Sequence, residues 1–210
     1  MIELKNLHKS FGEKVIFKSL NYKIDTGSMV AIIGKSGCGK STLLNMIGLL
    51  DSDYTGTILI DKNDIAKMNE KKKSVYIRNN INYLFQNYAL IDNETVEENL
   101  LLALTYHKIK KTEKIDKINN ALKSVGLESY NNKKVYTLSG GEQQRIALAR
   151  VILKKGNIIL ADEPTGNLDD NNSKIVMDIL KQLQKEGKTI VIVTHNQKIA
   201  DQCDEVLSLT

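Results

Sequence analysis

The feature that most constrains this chain is a glycine-rich segment at residues 34–42, which lies between an apolar run at 29–33 and a helix-like run at 43–47. Its residues are Gly34, Lys35, Ser36, Gly37, Cys38, Gly39, Lys40, Ser41 and Thr42. A strand, a glycine-rich turn ending in Lys-Ser and a helix form the context of the phosphate-binding pattern G-x-x-x-x-G-K-[ST]. Glycines let successive backbone N–H groups curl around a polyphosphate, and the helix N-terminus adds partial positive charge. The segment therefore predicts a site for a nucleotide polyphosphate.

Two side chains of this segment predict how such a nucleotide is held. Lys40 is expected to reach the β- and γ-phosphates, and the Ser41 hydroxyl is expected to bind Mg²⁺. The segment does not reveal which process the phosphate chemistry drives, so that information has to come from the remaining residues.

Size and composition limit the class of protein. With 210 residues, of which 41% are hydrophobic, the chain can bury one substantial core and a subdomain. No apolar run approaches the ~18 residues that a membrane span requires, and the first residues lack the apolar region of a secretory leader. The cysteines, Cys38 and Cys203, do not have the spacing of a metal-binding pair. We therefore expect a cytoplasmic protein without a disulfide framework.

The positive charge of the chain has two interpretations. The net charge is +5, and lysines form short runs at 71–73 and 108–111. Such runs either contact nucleic acid or an anionic membrane surface, or they lie on solvated loops. No aromatic residues interleave with them, as a base-stacking surface would need. Solvated loops are therefore favoured, and no nucleic-acid partner is expected.

The order of apolar segments predicts an α/β fold that begins with antiparallel strands. Segments 2–4, 15–17 and 20–24 are short apolar runs separated by turns, which is typical of an antiparallel sheet. Phe11 precedes Gly12 on a predicted loop, where its ring either joins the core or stays exposed for a base to stack on.

Helical patterns follow in the middle of the chain. A capping box at 95–98, a helix from about 112 to 126 and another from 140 to about 153 are predicted. We therefore expect a helical subdomain at about 88–145, inserted in a single α/β domain that spans residues 1–210.

Buried-type strands return at 157–161 and 189–193, separated by a helix predicted at 172–186. This alternation predicts a largely parallel sheet. In such sheets, ligand-binding residues follow the carboxyl ends of the strands. Asp162 and His195 both lie at or just after such ends.

Two adjacent carboxylates follow the strand at 157–161. Asp162 has the setting of the aspartate that binds Mg²⁺ in P-loop NTPases. Glu163 is placed to polarise a water directed at the γ-phosphate, and a positioned base contributes roughly 10²–10⁴-fold in rate. The alternative is that both acids simply begin a turn before Pro164, but their combination with segment 34–42 favours the catalytic interpretation.

Two further polar residues also end apolar strands. His195 is a candidate to contact the γ-phosphate or to orient the water, although a lone histidine is more often structural. Gln86 follows the strand predicted at 81–85 and is placed to reach Mg²⁺ or the water. Because Gln86 also opens the helical insertion, it would couple the nucleotide state to movement of that insertion.

A second glycine-containing helix start lies at residues 138–145. Ser139, Gly140, Gly141 and Glu142 begin this helix, and a helix N-terminus is a place where backbone N–H groups bind an anion. One nucleotide does not need two such ends from one chain. We therefore expect this end to cover the γ-phosphate of an ATP held by another subunit.

With these motifs in this order, the chain resembles the ATP-binding-cassette (ABC) ATPases over almost its whole length. By this resemblance, segment 34–42 is Walker A, segment 158–162 is Walker B and Glu163 is the catalytic base. Gln86 corresponds to the Q-loop glutamine and His195 to the switch histidine.

Three further assignments follow from the resemblance alone. Segment 138–142 is similar to the family signature, and segment 166–169, which ends in Asp169, is similar to the D-loop. Phe11 takes the place of the aromatic residue that stacks on adenine.

The resemblance also implies an architecture and partners. It implies a P-loop NTPase (RecA-like) core of mostly parallel strands, with an N-terminal antiparallel β subdomain and a helical subdomain. It implies hydrolysis of ATP with Mg²⁺ and a head-to-tail homodimer that encloses two ATPs. It further implies docking on integral-membrane permease subunits at the inner face of the cell membrane.

The resemblance also extends to a branch of the family. Segment 161–169 is similar to the lipoprotein-release and macrolide-export branch. Segment 134–145 and the short length look most like the bacteriocin-export group.

Other classes of protein are less consistent with the sequence. A non-transport cassette acting on ribosomes or DNA usually carries two cassettes or a long coiled-coil insertion, and neither is visible here. Segment 138–145 argues against a P-loop kinase, and no guanine-reading Asn-Lys-x-Asp motif occurs. The transported substrate cannot be read from this chain.

Overall fold

The computed structural model describes residues 1–209, and these residues contain two β-sheets. The strands are β1 (Ile2–Phe11), β2 (Lys14–Ile24), β3 (Met29–Gly34), β4 (Thr55–Ile60), β5 (Asn63–Asp64), β6 (Ile81–Leu84), β7 (Ile158–Asp162), β8 (Thr189–Val193) and β9 (Glu205–Leu209). One sheet is antiparallel with the order β2-β1-β4-β5. The other has the order β6-β7-β8-β3-β9 and is parallel along β7-β8-β3-β9.

Seven α-helices are present within residues 1–209. They are α1 (Lys40–Ile47), α2 (Glu70–Asn80), α3 (Val96–Ala103), α4 (Lys111–Ser124), α5 (Gly140–Leu153), α6 (Asp170–Lys185) and α7 (Gln197–Ala200). None of these described helices has the length and apolar character needed to cross a lipid bilayer.

The chain divides into two units. The first unit comprises residues 1–83, 156–163 and those from 184 onward, and it contains the two sheets with α1, α2 and α7. The second unit comprises residues 84–155 and 164–183, and it contains α3, α4, α5 and most of α6.

The predicted α/β class, with an antiparallel N-terminal sheet and a mostly parallel sheet, is confirmed. Some local predictions are wrong. Segments 15–17 and 20–24 belong to one continuous strand, β2, whose pairing with β1 contains irregularities. Phe11 lies at the end of β1 opposite Lys14, and not in a loop.

Helix α2 was not predicted, because it lacks the apolar face that makes a helix recognisable. None of its residues is fully buried, and the lysine run 71–73 lies on it. Its start is stabilised locally, since the Asn69 side chain caps it by accepting a hydrogen bond from the Lys72 N–H.

The core of the first unit explains the apolar run before the phosphate-binding segment. Strand β3 lies between the parallel strands β8 and β9, and its residues from Met29 to Ile32 are almost completely buried. Helix α1 buries Leu43, Leu44 and Met46 in the same unit. Each such side chain contributes about 1.5–3 kcal/mol when buried. Burial therefore holds the elements on both sides of segment 34–42.

The helices of the second unit begin and pack largely as the sequence predicts. The capping box is confirmed: the Thr95 hydroxyl accepts from the Glu98 N–H at 3.2 Å, and the Glu98 carboxylate accepts from the Thr95 N–H at 2.7 Å. In α6 the buried face includes Met177, whereas Ile175, which the periodicity assigns to that face, is 40% exposed. The apolar face of α6 is therefore rotated slightly from the predicted one.

Candidate functional site

The phosphate-binding segment joins β3 to α1, as the sequence predicts. Helix α1 begins at Lys40 and has Gly39 as its N-cap, without a side-chain capping bond and without an acidic residue in its first turn. The first N–H groups of a helix lack intrahelical partners, and the helix dipole is positive at this end. The start of α1 is therefore electrostatically suited to an anion.

Two glycines of the loop allow backbone approaches that a side chain would block. A Cβ on Gly34 would lie 2.4 Å from the Leu209 carbonyl oxygen and 2.6 Å from Cys38 Sγ. A Cβ on Gly39 would lie 2.3 Å from the Ile16 side chain, and this glycine has a φ of +103°. The loop is thus held against β9 at one end and against β2 at the other.

The Lys40 ammonium lies within this loop. Its Nζ donates to the Gly34 carbonyl at 2.8 Å and to the Lys35 carbonyl at 3.1 Å. Both acceptors are neutral backbone carbonyls, so neither hydrogen bond neutralises the ammonium charge. The arrangement fits the predicted contact between Lys40 and a phosphate group.

Two oxygen ligands meet at the carboxyl end of β7. The Ser41 hydroxyl donates to Asp162 Oδ1 at 3.1 Å. Burial raises the pKa of Asp162, and the neighbouring Glu163 raises it further, while the Ser41 hydrogen bond and Lys40 lower it. A nearby cation would therefore stabilise the charged carboxylate.

This pair fits Mg²⁺ that arrives with a nucleotide. Within residues 1–209, no group of three or more His, Cys, Asp or Glu side chains is arranged to hold a metal ion. Mg²⁺ is commonly bound by one or two protein ligands together with substrate phosphates and waters. Ser41 and Asp162 provide such a partial set of oxygen ligands.

Glu163 is held by two residues that follow β8. Its Oε1 lies 2.7 Å from His195 Nδ1, and its Oε2 accepts from the Thr194 hydroxyl at 3.3 Å. Its backbone N–H donates to the Val193 carbonyl at 2.9 Å, and its φ is +45°. A positive φ at a non-glycine residue costs roughly 1–3 kcal/mol and persists only where the surroundings impose it. The backbone of Glu163 and both oxygens of its carboxylate are therefore held in one orientation.

Of the five predicted residues in the first unit, Lys40 and Ser41 lie at the start of α1, which follows β3 after the glycine-rich loop. Asp162 ends β7, Glu163 follows it directly, and His195 lies two residues after the end of β8. Strand β8 lies between β3 and β7 in the sheet. Glu163 and His195 are predicted separately from the sequence, and in the structure a hydrogen bond joins their side chains. Thr194 was not singled out from sequence, because a threonine beside a histidine carries no distinctive signal.

In the second unit, the start of α5 is capped by its own residues. The Ser139 hydroxyl accepts from the Glu142 N–H at 3.3 Å, and Glu142 Oε2 accepts from the Ser139 N–H at 2.8 Å and from its hydroxyl at 2.9 Å. The Tyr130 hydroxyl donates to Glu142 Oε1 at 2.6 Å. The Tyr130 bond is the largest cause of a lowered Glu142 pKa, followed by the Ser139 backbone bond. To bind an anion, the Ser139 hydroxyl therefore has to turn away from Glu142.

Asn172, which belongs to none of the sequence motifs, connects the start of α5 to Asp169. Its side chain donates to Asp169 Oδ2 at 2.7 Å, and its N–H donates to Asp169 Oδ1 at 2.8 Å. The Arg145 guanidinium donates to the side-chain oxygen Oδ1 of Asn172, and a Cβ on Gly141 would lie 2.5 Å from Asn172 Cγ. Asn172 is therefore hydrogen-bonded to Asp169 and lies against Gly141, two residues predicted from separate motifs.

The turn after Gln86 is also attached to α5. Tyr88 and Ala89 have φ values of +61° and +48°, and both of their carbonyls accept from the Arg150 guanidinium. A Cβ on Gly140 would lie 2.9 Å from the Tyr88 hydroxyl. Arg150 was not identified from sequence, since one arginine on a helix carries no positional signal.

A parallel sheet with a glycine loop between strand and helix, and an acidic pair at the end of another strand of the same sheet, defines a P-loop NTPase. Residues 17–166 match the family model described as ABC transporter. The chain belongs to the ABC transporter family and is an ATPase cassette of it. The resemblance inferred from the motifs is thereby confirmed.

Relatives are known from several organisms. The macrolide export ATP-binding/permease protein MacB of Campylobacter jejuni (strain 81-176) is 41% identical over 209 residues, which cover all of this chain and 33% of that protein. The uncharacterized ABC transporter ATP-binding protein YvrO of Bacillus subtilis is 37% identical, with 99% of this chain and 92% of that protein covered. This chain thus spans about a third of the length of the MacB relatives.

Solved structures with the same fold include two of the ABC transporter cassette MJ0796. Its dimeric structure has a TM-score of 0.91 and 37% identity, and the match covers all of this chain and 94% of that one. A second dimeric structure, of a post-hydrolysis state bound to ADP and Pi, has a TM-score of 0.91 and 36% identity.

Proposed function

We propose that this chain is the ATP-hydrolysing subunit of a membrane transporter and works as a head-to-tail homodimer. The observation that carries the proposal is the Glu163 carboxylate, which His195 and Thr194 orient beside the Ser41–Asp162 pair. The MJ0796 cassettes, one of them bound to ADP and Pi, support both hydrolysis and dimerisation.

Each residue then has a role in ATP hydrolysis. Lys40 and the loop N–H groups bind the phosphates, while Ser41 and Asp162 would hold Mg²⁺. Gln86 is proposed as a further ligand of this ion on the sequence resemblance alone. When bound, Mg²⁺ neutralises charge that develops on the phosphate oxygens. Glu163 accepts the proton of the attacking water, and His195 maintains the orientation of Glu163. The loop residues proposed to bind ATP are Gly34, Lys35, Ser36, Gly37, Cys38, Gly39, Lys40, Ser41 and Thr42.

The second unit supplies the other half of the proposed site, in trans. Ser139, Gly140, Gly141 and Glu142 contact the γ-phosphate of the ATP bound to the partner, with Asp169 beside them. Their shared attachment through Asn172 and the capping box supports a common role, because elements held together move together on dimer closure.

The proposed partners are integral-membrane permease subunits, and the proposed location is the inner face of the cell membrane. The support is that MacB relatives are named ATP-binding/permease proteins. The proposed substrate for export is a macrolide, a lipoprotein, a bacteriocin or an antimicrobial peptide. We further propose that residues 1–210 act as one cassette, in which about 88–145 form a helical subdomain.

Co-purification tests the transport role. The chain is expected to co-purify with membrane proteins encoded beside its gene and to hydrolyse ATP in that complex. Lys40→Ala is the control, expected to assemble without hydrolysing ATP because the phosphate contact is lost. Recovery of the chain with ribosomes or DNA, and not with those membrane proteins, would contradict a transport function.

Thiol labelling tests nucleotide binding at the loop. Maleimide is expected to inhibit ATP hydrolysis by reacting with Cys38, and ATP is expected to protect, since both occupy the loop. Cys203→Ser leaves Cys38 as the single thiol, whereas Cys38→Ser is expected to remove the inhibition. Fully labelled enzyme that retains normal turnover would show that the loop tolerates this bulk.

A further inference from the structure

Lys9 is a buried lysine that neither the proposed mechanism nor the sequence motifs use. Its side chain is 2% exposed. The ammonium lies 2.9 Å from Asp51 Oδ2 and 3.2 Å from Asp53 Oδ2, and it also donates to the Asp53 carbonyl. Burial lowers the pKa of Lys9, but the hydrogen bonds to Asp51 and Asp53 outweigh it, so that the pKa is raised. Lys9 is therefore charged, and burying a charge is costly unless it is paired in this way.

The partners of Lys9 belong to the loop that follows the phosphate-binding helix. Asp51 donates its N–H to the carbonyl of Asn45 in α1, and Asp53 donates its N–H to Asp51 Oδ1 at 2.9 Å. Lys9 thus ties strand β1 to the end of α1.

The same ammonium lies against an aromatic ring. Lys9 Nζ is 4.7 Å from the centroid of Phe11, which follows two residues later on β1 and so points to the same face of the strand. Phe11 is nevertheless 54% exposed, which settles the alternative left open by the sequence: the ring is not in the core. The Lys9 ammonium therefore lies over the ring, and more than half of Phe11 stays exposed, so that a ligand can contact it.

The hairpin that carries Phe11 reaches the phosphate-binding loop. Phe11 pairs with Lys14, and Lys14 Nζ donates to the Gly37 carbonyl at 3.4 Å. Ile16 of the same hairpin lies against Gly39. The hairpin that carries the exposed ring therefore lies next to the phosphate-binding loop.

We propose that Lys9 is a positioning residue for the nucleotide base: it holds the Phe11 ring from behind and ties it to the end of the phosphate-binding helix. This rests on the proposed function, in which Phe11 stacks on the base of ATP. A cation within about 6 Å of a ring centroid attracts its π-face, which fixes the ring in place. A preset ring loses less conformational freedom when a base stacks on it.

The test compares a ligand that has a base with one that does not. ADP and pyrophosphate are titrated calorimetrically into the whole chain in EDTA, where no hydrolysis interferes. Phe11→Ala is expected to weaken ADP binding about tenfold, since stacking of one base contributes about that much. Lys9→Met is expected to weaken ADP binding about three- to tenfold and to leave pyrophosphate binding unchanged.

Two controls separate positioning from general support of the fold. The double variant Lys9→Met with Phe11→Ala is expected to bind ADP no more weakly than Phe11→Ala alone. Lys5→Met, on the same strand, removes an exposed lysine paired with Glu3. It is expected to change the affinity for neither ADP nor pyrophosphate. If Lys9→Met fails to fold, Asp51→Asn replaces it, and a smaller loss confined to ADP is expected.

Each contrary outcome has a distinct meaning. If Lys9→Met lost equal affinity for ADP and for pyrophosphate, the positioning role would be overturned and base stacking would stay intact. The same holds if the losses of ADP affinity in the double variant were additive. If Asp51→Asn left the ratio of ADP affinity to pyrophosphate affinity unchanged, the positioning role would also be overturned. Unchanged ADP binding in Phe11→Ala would instead contradict the stacking role in the proposed function, and the positioning role with it.

Discussion

Replacing Glu163 by glutamine is expected to slow ATP hydrolysis at least about 10²-fold while Mg-ATP binding is retained. The amide has nearly the same volume as the carboxylate and can still contact His195 and Thr194, but it does not accept the proton of the attacking water. Phosphate release measures the rate, and calorimetry measures ATP binding. ATP-bound dimers are expected to accumulate and to be visible by sedimentation velocity, because the step that ends the closed state is blocked.

Glu128→Gln is the matched control, since it makes the same change at an exposed glutamate. It is expected to hydrolyse ATP at the normal rate. His195→Ala is expected to lower the rate less than Glu163→Gln, because Thr194 still holds the other carboxylate oxygen. Near-normal turnover by Glu163→Gln would remove Glu163 as the base.

The second large effect is expected at the start of α5. Ser139→Arg should abolish ATP-dependent dimerisation and hydrolysis while the monomer still binds ATP. The substitution removes the cap of α5, worth about 1 kcal/mol, and places a long side chain where the proposed dimer encloses the γ-phosphate. The phosphate-binding loop lies in the other unit of the chain and keeps its contacts.

The measurement is made in the Glu163→Gln background, where dimers persist. Sedimentation velocity reports dimer formation, and calorimetry reports ATP affinity. Ser124→Arg makes the same change at an exposed serine of α4 and is expected to dimerise normally. Ser139→Ala separates loss of the cap from added bulk. Loss of ATP binding by the Ser139→Arg monomer would contradict a site completed in trans.

The features that could be predicted from the sequence depend on neighbouring residues. The phosphate-binding segment is recognisable because its glycines, Lys40 and Ser41 act at fixed spacing within one turn of chain. The capping box at Thr95 is local in the same sense, since its donor and acceptor lie three residues apart. Helix α2 could not be predicted because it has no fully buried residue. Its sequence therefore lacks the spacing of apolar residues that indicates a helix.

The tertiary structure decided which distant residues meet. Ser41 and Asp162 are 121 positions apart in the chain, and they touch because the sheet places β7, β8 and β3 side by side. Glu163 and His195 meet because the parallel register aligns the ends of β7 and β8. Lys9 finds Asp51 and Asp53 only once β1 lies against the loop after α1.

The sequence by itself therefore determined the chemistry: a phosphate loop, an acidic pair and a family signature, each defined by short-range spacing. The structure alone decided the orientation of Glu163, the capped state of Ser139 and the support of Phe11 by Lys9. The physical reason is that the order of the strands and the contacts between distant residues arise from the packing of whole elements around a core, which local residue spacing does not encode.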